Sequence, residues 1–214
     1  MAEIVIPYKP RFPQTEIHEK LEQFRFVVLV AHRRMGKTVM VVNHLVKQAL
    51  LCPREMGMFA YVAPFKNQAK NIAWNYLKKF TEPVPGRIVN EQELFVQLPS
   101  GAKIRIFGAD NPDALRGLYF DGIVLDEVAQ MDPYVWNEVI RPALSDRNGF
   151  AVFIGTPKGI NLFHELYARA RSGEDKDWYA ALYRADETGV LPPEELASLK
   201  KDMSDNAYRQ EYLC

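Results

Sequence analysis

The chain has 214 residues, 48% of them hydrophobic, and its 27 Lys and Arg residues equal its 27 Asp and Glu residues, so the formal net charge is zero. This length is enough for a sizeable core, whereas the neutral balance excludes a global positive field, so any contact with nucleic acid is expected to be local or transient. Two cysteines without metal or disulfide spacing, and the lack of a secretory signal or an apolar run of about 18 residues, predict a cytosolic protein without a membrane partner.

The first predicted elements are a strand, a tight loop and a helix. Three prolines within residues 1–14 favour extended backbone there. Residues 24–31 (FRFVVLVA) form a Val-rich apolar run, which is typical of a strand covered on both faces. In residues 37–51 the apolar side chains recur at helical spacing, so a helix is predicted directly after the loop.

Strands and helices then alternate to the C-terminus. The lysines of the second predicted helix are interpreted as a solvated face, and the sequence PSG as a hairpin turn between two short strands. Strands are predicted at 58–64, 87–90, 93–98, 102–108, 120–127 and 149–157, with an edge strand at 178–185. Helices are predicted at 66–80, 134–144 and 160–171, followed by two short helices at 192–203 and 205–213.

This alternation predicts an α/β fold with a mostly parallel sheet and helices on both faces. We assign residues 1–185 to the core of the domain and residues 186–214 to a C-terminal helical segment. Ligands of such folds bind at the carboxyl ends of the strands, so residues that follow the buried strands are the first candidates for a functional site.

The loop AHRRMGKT, residues 31–38, resembles a phosphate-binding loop without its first glycine. Ala31 holds that position, which puts the tight-turn geometry there in question. Gly36 lets the backbone approach a phosphate, Lys37 is expected to reach the β- and γ-phosphates, and the Thr38 hydroxyl is expected to bind Mg²⁺. A basic turn that happens to end in GKT is the alternative, because so short a motif also occurs by chance.

A second pattern favours the phosphate site. The apolar run IVLDE, residues 123–127, predicts a buried strand that ends in Asp126 and Glu127. In a P-loop NTPase such an aspartate holds the Mg²⁺, and the glutamate takes a proton from the attacking water. Neighbouring side chains on a strand point to opposite faces, so the two acids can act together only if the strand ends and twists at this point.

Three further residues have a functional and an ordinary interpretation. Thr156 follows another buried strand and can bond the γ-phosphate or the attacking water, although GTP-x-G alone is only a turn. Arg116 is either an arginine finger or a surface arginine beside a turn glycine. The Gln14 carboxamide can bond both the donor and the acceptor of an adenine edge, but an exposed glutamine is the commoner case.

These motifs together resemble the ATPase domain of the terminase large subunit, the motor that packages double-stranded DNA into viral capsids. The resemblance covers nearly the whole chain and implies a P-loop NTPase fold of the RecA/ASCE type. The matching segments are PQTEIHEKL (13–21), RRMGKT (33–38), YVAPFKNQAKNIAWNYLKKF (61–80), LRGLYFDGIVLDEVAQM (115–131), IGTPKGINLFHELYARA (154–170) and YRQEYLC (208–214).

The resemblance also implies residue roles. It implies adenine recognition by Gln14, a finger role in trans for Arg116, and coupling of hydrolysis to movement by Thr156. The loop arginine is Arg33 or Arg34, and the alternatives stay open. The implied nucleotide-binding set is Gln14, Arg33, Arg34, Met35, Gly36, Lys37 and Thr38; the catalytic set is Lys37, Arg116, Glu127 and Thr156; the Mg²⁺ ligands are Thr38 and Asp126.

The implied activity is Mg²⁺-dependent ATP hydrolysis that drives DNA translocation in the host cytoplasm. Implied partners are double-stranded DNA, the portal protein, the small terminase subunit and further copies in a ring, expected to be a pentamer. No DNA cleavage is expected, because the acidic cluster of the family's nuclease lies outside this sequence. The alternatives are a nucleotide-binding or assembly module with little hydrolysis as a monomer, and another P-loop translocase; a helicase would need a second RecA-like domain.

Overall fold

The computed structural model describes residues 4–214, which form one eight-stranded sheet in the order β3-β4-β5-β2-β6-β7-β1-β8. The β3–β4 and β4–β5 pairs are antiparallel and the other pairs are parallel. The strands are β1 (Phe26–Ala31), β2 (Met58–Ala63), β3 (Ile88–Asn90), β4 (Phe95–Gln97), β5 (Lys103–Gly108), β6 (Gly122–Asp126), β7 (Phe150–Gly155) and β8 (Trp178–Tyr183).

Helices cover both faces of this sheet, as the sequence predicts. The main helices are α1 (Gln14–Gln23), α2 (Lys37–Leu51), α3 (66–81), α4 (133–143) and α5 (Leu162–Ser172). Side chains of α1, α2 and α3 pack with one face of the strands in one core, and those of α4 and α5 pack with the other face in a second core. The α/β prediction with helices on both faces is therefore confirmed.

The order of the strands places the candidate residues. The strand β7 lies between β6 and β1, and all three run parallel. Their carboxyl ends therefore meet at one edge of the sheet, although the three strands are far apart in the sequence. The phosphate loop, the acidic pair and Thr156 follow these three ends.

Most predicted elements exist, with shorter strands than the sequence suggests. The edge position of β8 is confirmed, because it pairs with β1. The PSG turn is also confirmed: β4 and β5 pair in antiparallel register, and the Leu98 N–H donates to the Ala102 carbonyl at 2.8 Å. At the start of α4 the Tyr134 N–H donates to the Asp132 carboxylate at 2.9 Å, as expected for a capping aspartate.

The helix α3 departs from the regular pattern. Its α-helical parts Lys66–Ala69 and Asn75–Thr81 lie on either side of a π-helical turn at Lys70–Trp74. A π turn inserts one extra residue into the helix, so the faces before and after it are rotated relative to a regular helical period. The spacing of apolar residues in this segment does not predict the insertion.

The C-terminal residues form three short helices around a small cluster of their own. These are α6 (Ala185–Thr188), α7 (Pro193–Asp202) and α8 (205–213). Ala185, Tyr208 and Tyr212 are the buried members of the cluster. Within residues 4–214 no helix is both long enough and apolar enough to cross a membrane.

Candidate nucleotide-binding site

The phosphate loop turns at Arg34 and Gly36, without a turn at the position of the missing glycine. Ala31 is the last residue of β1, where it pairs with Tyr183 and is fully buried. Arg34 has φ +68° and Gly36 has φ +87°, so both adopt the left-handed conformation. The substitution at Ala31 is compatible with the loop because the chain is still extended there.

The backbone conformation at position 36 favours glycine, and a side chain there would also displace the Gln14 carboxamide. A Cβ atom at this position would lie 2.8 Å from Nε2 of Gln14, which is closer than side-chain atoms pack. The Gln14 carboxamide donates to the carbonyls of Gly36 at 3.2 Å and Met35 at 3.5 Å. The Arg11 guanidinium donates to the Arg34 carbonyl at 3.2 Å. The N-terminal segment therefore supports the loop from outside.

The Lys37 ammonium lies inside the loop. It donates to the carbonyls of Ala31 at 2.6 Å and His32 at 3.0 Å, and the residue is only 9% exposed. Burial lowers the pKa of Lys37, and the carboxylates of Glu127 and Asp126 oppose this shift. A buried ammonium whose hydrogen-bond partners are neutral carbonyls gains much from an anion beside it.

Thr38 and Asp126 form the part of the site that suits a divalent cation. The Thr38 hydroxyl donates to Oδ2 of Asp126 at 3.5 Å, and the buried Tyr61 hydroxyl donates to the same oxygen. Burial raises the pKa of Asp126, and these hydrogen bonds oppose the shift. A hydroxyl and a carboxylate at this distance are the oxygen ligands that Mg²⁺ prefers, with phosphate oxygens and water completing the coordination.

Among residues 4–214 no three His, Cys, Asp or Glu side chains are grouped so that they could hold a metal ion. A cation at Thr38 and Asp126 would therefore depend on phosphate oxygens for much of its coordination. Such dependence is typical of Mg²⁺ in nucleotide sites, which is bound through one or two carboxylates together with the phosphates.

Glu127 leaves the strand in the left-handed conformation, with φ +55° and ψ +45°. This conformation is rare for a residue other than glycine, and it supplies the twist at the strand end that the acidic pair needs. Burial raises the pKa of Glu127, and the charge of Asp126 raises it further. A carboxylate with a raised pKa is a stronger base once it is ionised.

A cavity of about 590 Å³ connects these groups. The loop and the acidic pair form one wall, and α3 forms the other with Asn71, Ile72, Asn75 and Tyr76. A second cavity of about 350 Å³ has Arg33, Ile72 and Glu127 on its wall as well, and adds Thr156 and Glu211. Thr156, which is 8% exposed, therefore lines the same cavity as Glu127.

Most of the expected site residues line the larger cavity, but some do not. Arg33, Arg34, Gly36, Lys37, Thr38, Asp126 and Glu127 all line the larger cavity. The Met35 side chain is fully buried in the core, so only its backbone is available to a ligand. Gln14 is 4% exposed and bonded to the loop, to the Arg11 N–H at 3.2 Å and to the Tyr8 hydroxyl at 3.4 Å.

Arg116 lies away from both cavities. Its Nε atom is 3.3 Å from a carboxylate oxygen of Asp113, its guanidinium lies over the Tyr134 ring at 5.5 Å, and its side chain is 53% exposed. The adenine role of Gln14 and the finger role of Arg116 remain predictions, and neither residue touches the larger cavity.

Two groups of residues at the site were not predicted from the sequence. The first is the α3 wall: helical spacing predicts that Ile72 and Tyr76 belong to an apolar face, and it gives no role to Asn71 and Asn75, yet all four line the cavity. The second is Tyr61, which the sequence shows only as one aromatic residue in a strand. Tyr61 lies two residues before the end of β2, and β2 pairs with β6, the strand that ends in Asp126. This position could indicate a site residue, but only when the pairing of the strands is known.

Comparisons with known proteins show which family the chain belongs to. Residues 28–214 match the family model described as terminase large subunit, T4likevirus-type, N-terminal. The large terminase subunit of Thermus virus P23-45 is 32% identical over 192 residues, which cover 81% of this chain and 39% of that protein. The large terminase subunit of Escherichia phage T5 is 29% identical over 211 residues, with coverages of 95% and 47%.

Solved structures show the same fold. The large terminase ATPase domain of Thermus phage P74-26 superimposes with a TM-score of 0.84 at 24% identity, over 97% of this chain and 94% of that one. The large terminase of a thermophilic bacteriophage in complex with ATP-gamma-S gives a TM-score of 0.73 at 16% identity, over 94% and 48%. The chain spans less than half the length of the P23-45 and T5 subunits. With 28–214 matched by the family model, the chain belongs to the terminase large subunit family and carries its N-terminal ATPase fold.

Proposed function

We propose that this chain is a Mg²⁺-dependent ATPase domain that drives the translocation of double-stranded DNA during phage packaging. One observation carries the proposal: Lys37, Thr38, Asp126 and Glu127 surround a single cavity at the carboxyl ends of two parallel strands. This set provides a phosphate-binding cation, oxygen ligands for Mg²⁺ and a carboxylate base. The family membership and the fold of the large terminase ATPase domains agree with it.

The loop and Lys37 bind the phosphates in this mechanism. The first N–H groups of α2 have no preceding helical turn to bond, so they are free to donate to phosphate oxygens. The Lys37 ammonium exchanges its loop carbonyl partners, which lie at 2.6 and 3.0 Å, for phosphate oxygens. When bound at Thr38 and Asp126, Mg²⁺ neutralises charge on the phosphate oxygens.

Glu127 takes the proton of the attacking water. It lies beside Thr156, whose hydroxyl bonds the same water or the γ-phosphate and couples hydrolysis to movement. Arg33 and Arg34 both line the nucleotide cavity, and either can pair with a phosphate. Gln14 contributes to adenine recognition through the N-terminal segment that supports the loop.

The proposed assembly is a ring, expected to be a pentamer, that works with the portal protein and the small terminase subunit in the host cytoplasm. The formal net charge of zero suits a subunit that must release DNA in every cycle. Arg116 fits a finger that acts on a neighbouring subunit, because its exposed side chain lies outside the cavity of its own subunit.

The position of Arg116 also supports a second candidate function. A monomer whose finger lies outside its own site would bind nucleotide and hydrolyse it only slowly. In this interpretation the isolated chain is a nucleotide-binding or assembly module, and the hydrolysis rate depends on ring formation. The two functions predict different rates of ATP hydrolysis for the isolated chain, and both require the same phosphate site.

The substitution Glu127→Gln tests the proposal. We expect hydrolysis to fall by about 10²–10⁴-fold, the usual contribution of a general base, while ATP binding is retained. Glu138→Gln, an exposed glutamate on α4, is the matched control and should leave hydrolysis unchanged. Hydrolysis by Glu127→Gln at the rate of the parent, with and without DNA and portal protein, would exclude Glu127 as the base.

A further inference from the structure

Tyr61 and Asp126 form a buried phenol–carboxylate pair beside the nucleotide cavity. The Tyr61 hydroxyl donates to Oδ2 of Asp126, and the two residues are 1% and 4% exposed. A hydroxyl at this depth needs a hydrogen-bond acceptor, and a buried carboxylate needs hydrogen-bond donors. Each residue supplies what the other needs.

The sheet register brings the pair together. Tyr61 of β2 lies opposite Val124 of β6, and both side chains belong to the core on the α2 side of the sheet. Asp126 comes two residues after Val124, so it points to the same face and is a diagonal neighbour of Tyr61. A tyrosine is long enough to reach a diagonal neighbour, which makes the contact a consequence of strand pairing.

The Tyr61 and Thr38 hydroxyls donate to the same oxygen of Asp126. Oδ2 of Asp126 accepts from Tyr61 and, at 3.5 Å, from Thr38. These two hydroxyl donors restrict the rotation of the carboxylate.

We propose that Tyr61 is a positioning residue for the Mg²⁺ site: its hydroxyl orients the Asp126 carboxylate toward the cation. This inference rests on the proposed function, which assigns the metal to Thr38 and Asp126. Removal of a group that hydrogen-bonds to a metal ligand commonly lowers the metal affinity by about 10–100-fold. Tyr61 touches neither nucleotide nor water in this role, so it acts only through Asp126.

The substitution Tyr61→Phe removes one oxygen atom and keeps the ring. We expect the Mg²⁺ concentration for half-maximal binding of a fluorescent ATP-gamma-S analogue to rise about tenfold, and the half-saturating Mg²⁺ for hydrolysis to rise in parallel. Hydrolysis at saturating Mg²⁺ should stay within about threefold of the parent, because the base Glu127 is unchanged. Tyr179→Phe, on the edge strand β8, is the matched control and should leave both values unchanged.

The outcomes separate this inference from the proposed function. If Asp126→Asn raises the half-saturating Mg²⁺ and Tyr61→Phe does not, the inference is wrong and the metal assignment stands. If Asp126→Asn also leaves it unchanged, the metal assignment fails and the inference with it. Equal loss of hydrolysis by Tyr61→Phe at every Mg²⁺ concentration would indicate a structural role and overturn the inference.

A second measurement covers the case in which Tyr61→Phe does not fold. A 3-fluorotyrosine placed at position 61 keeps the hydroxyl and the ring. Its fluorine resonance should shift when Mg²⁺ is added to the chain saturated with ATP-gamma-S, because the charge on the bonded carboxylate becomes shared with the cation. A resonance that does not change with Mg²⁺ would overturn the inference.

Discussion

Arg33 of the phosphate loop is joined to Glu211 near the C-terminus by two contacts. Its Nε atom lies 2.8 Å from Oε2 of Glu211, and its backbone N–H donates to the Glu211 carbonyl at 2.9 Å. The side-chain contact is an ion pair without the alignment of a hydrogen bond, since no donor within residues 4–214 makes a hydrogen bond to Oε2. The Arg33 side chain is 66% exposed, so the pair adds at most about 1 kcal/mol to stability.

The pair nevertheless affects the pKa of Glu127, the proposed base. The negative charge of Glu211 raises the pKa of Glu127, and the positive charge of Arg33 lowers it. The substitution Glu211→Gln removes the negative charge that raises the pKa of Glu127, while the positive charge of Arg33, which lowers it, remains. The pKa of Glu127 should therefore fall. We expect the acid limb of the pH dependence of kcat/KM to move to lower pH. The rate at low pH would then rise relative to the parent.

Measurement of kcat/KM between about pH 5 and pH 8 checks this expectation. Glu195→Gln, an exposed glutamate on α7, removes the same charge away from the site and should leave the profile in place. A profile of Glu211→Gln that coincides with the parent, or moves to higher pH, would contradict the electrostatic role of this pair.

Arg116 should act on a neighbouring subunit, because it lies outside the cavity of its own. The hydrolysis rate per subunit is therefore expected to rise with protein concentration, and Arg116→Ala should remove this rise. Trans-acting fingers contribute about 10³–10⁵ in rate in other systems. Arg171→Ala, an exposed arginine on α5, is the control.

Mixed subunits give a sharper test of the same residue. A Lys37→Ala subunit has an inactive site but retains Arg116, and an Arg116→Ala subunit has the reverse defects. Mixtures should recover activity that neither variant shows alone. Arg116→Ala protein that hydrolyses ATP at the parental rate at every concentration would show that Arg116 is an ordinary surface arginine.

Tyr76 should contribute to nucleotide binding without taking part in the chemistry. Its ring is 38% exposed on the cavity wall opposite the loop and is stacked near Phe80, with centroids 6.2 Å apart. An aromatic contact of about 1–1.5 kcal/mol corresponds to roughly a tenfold change in affinity. We expect Tyr76→Ala to raise KM for ATP about tenfold with little change in kcat. The control is Tyr119→Ala, because Tyr119 is exposed and lies away from the cavity, and it should change neither KM nor kcat. A fall in kcat without a rise in KM would show that Tyr76 does not contribute to nucleotide binding.

His44 should make the fold sensitive to acid. It is fully buried, and burial lowers its pKa from 6.5 to about 3, although Glu22 opposes the shift while His18 and Lys47 add to it. A lowered folded-state pKa means that the stability contribution is present above about pH 6.5 and is lost as the pH falls toward 3. The loss is at most about 1.4 kcal/mol per pH unit.

The substitution His44→Leu removes this titration. Between about pH 7 and pH 5 its free energy of unfolding should fall less than that of the parent, by up to about 2 kcal/mol. Urea unfolding at several pH values measures this difference, and His164→Leu, an exposed histidine on α5, is the control. Parallel pH dependences for parent and His44→Leu would show that other groups cause the acid sensitivity.

The amino-acid sequence alone determined most of the local elements and the residue types that the proposed site contains. The apolar run of β1, the GKT triplet and the acids that end β6 are each contained in a few neighbouring residues. Strand and helix periodicity and turn chemistry are local properties, so such segments can be interpreted without knowing what packs against them. The α/β fold and the pairing of a phosphate loop with Asp126 and Glu127 followed from them.

Only the tertiary structure decided how these segments meet. The contacts Tyr61–Asp126 and Arg33–Glu211 depend on strand order and on the return of the C-terminal segment to the loop. The π turn at Lys70–Trp74 and the position of α3 opposite the phosphate loop are likewise features of the folded chain, so the sequence did not show which residues of α3 line the cavity. Side-chain neighbours that are distant in the sequence are selected by packing and burial, and those forces act on the folded chain as a whole.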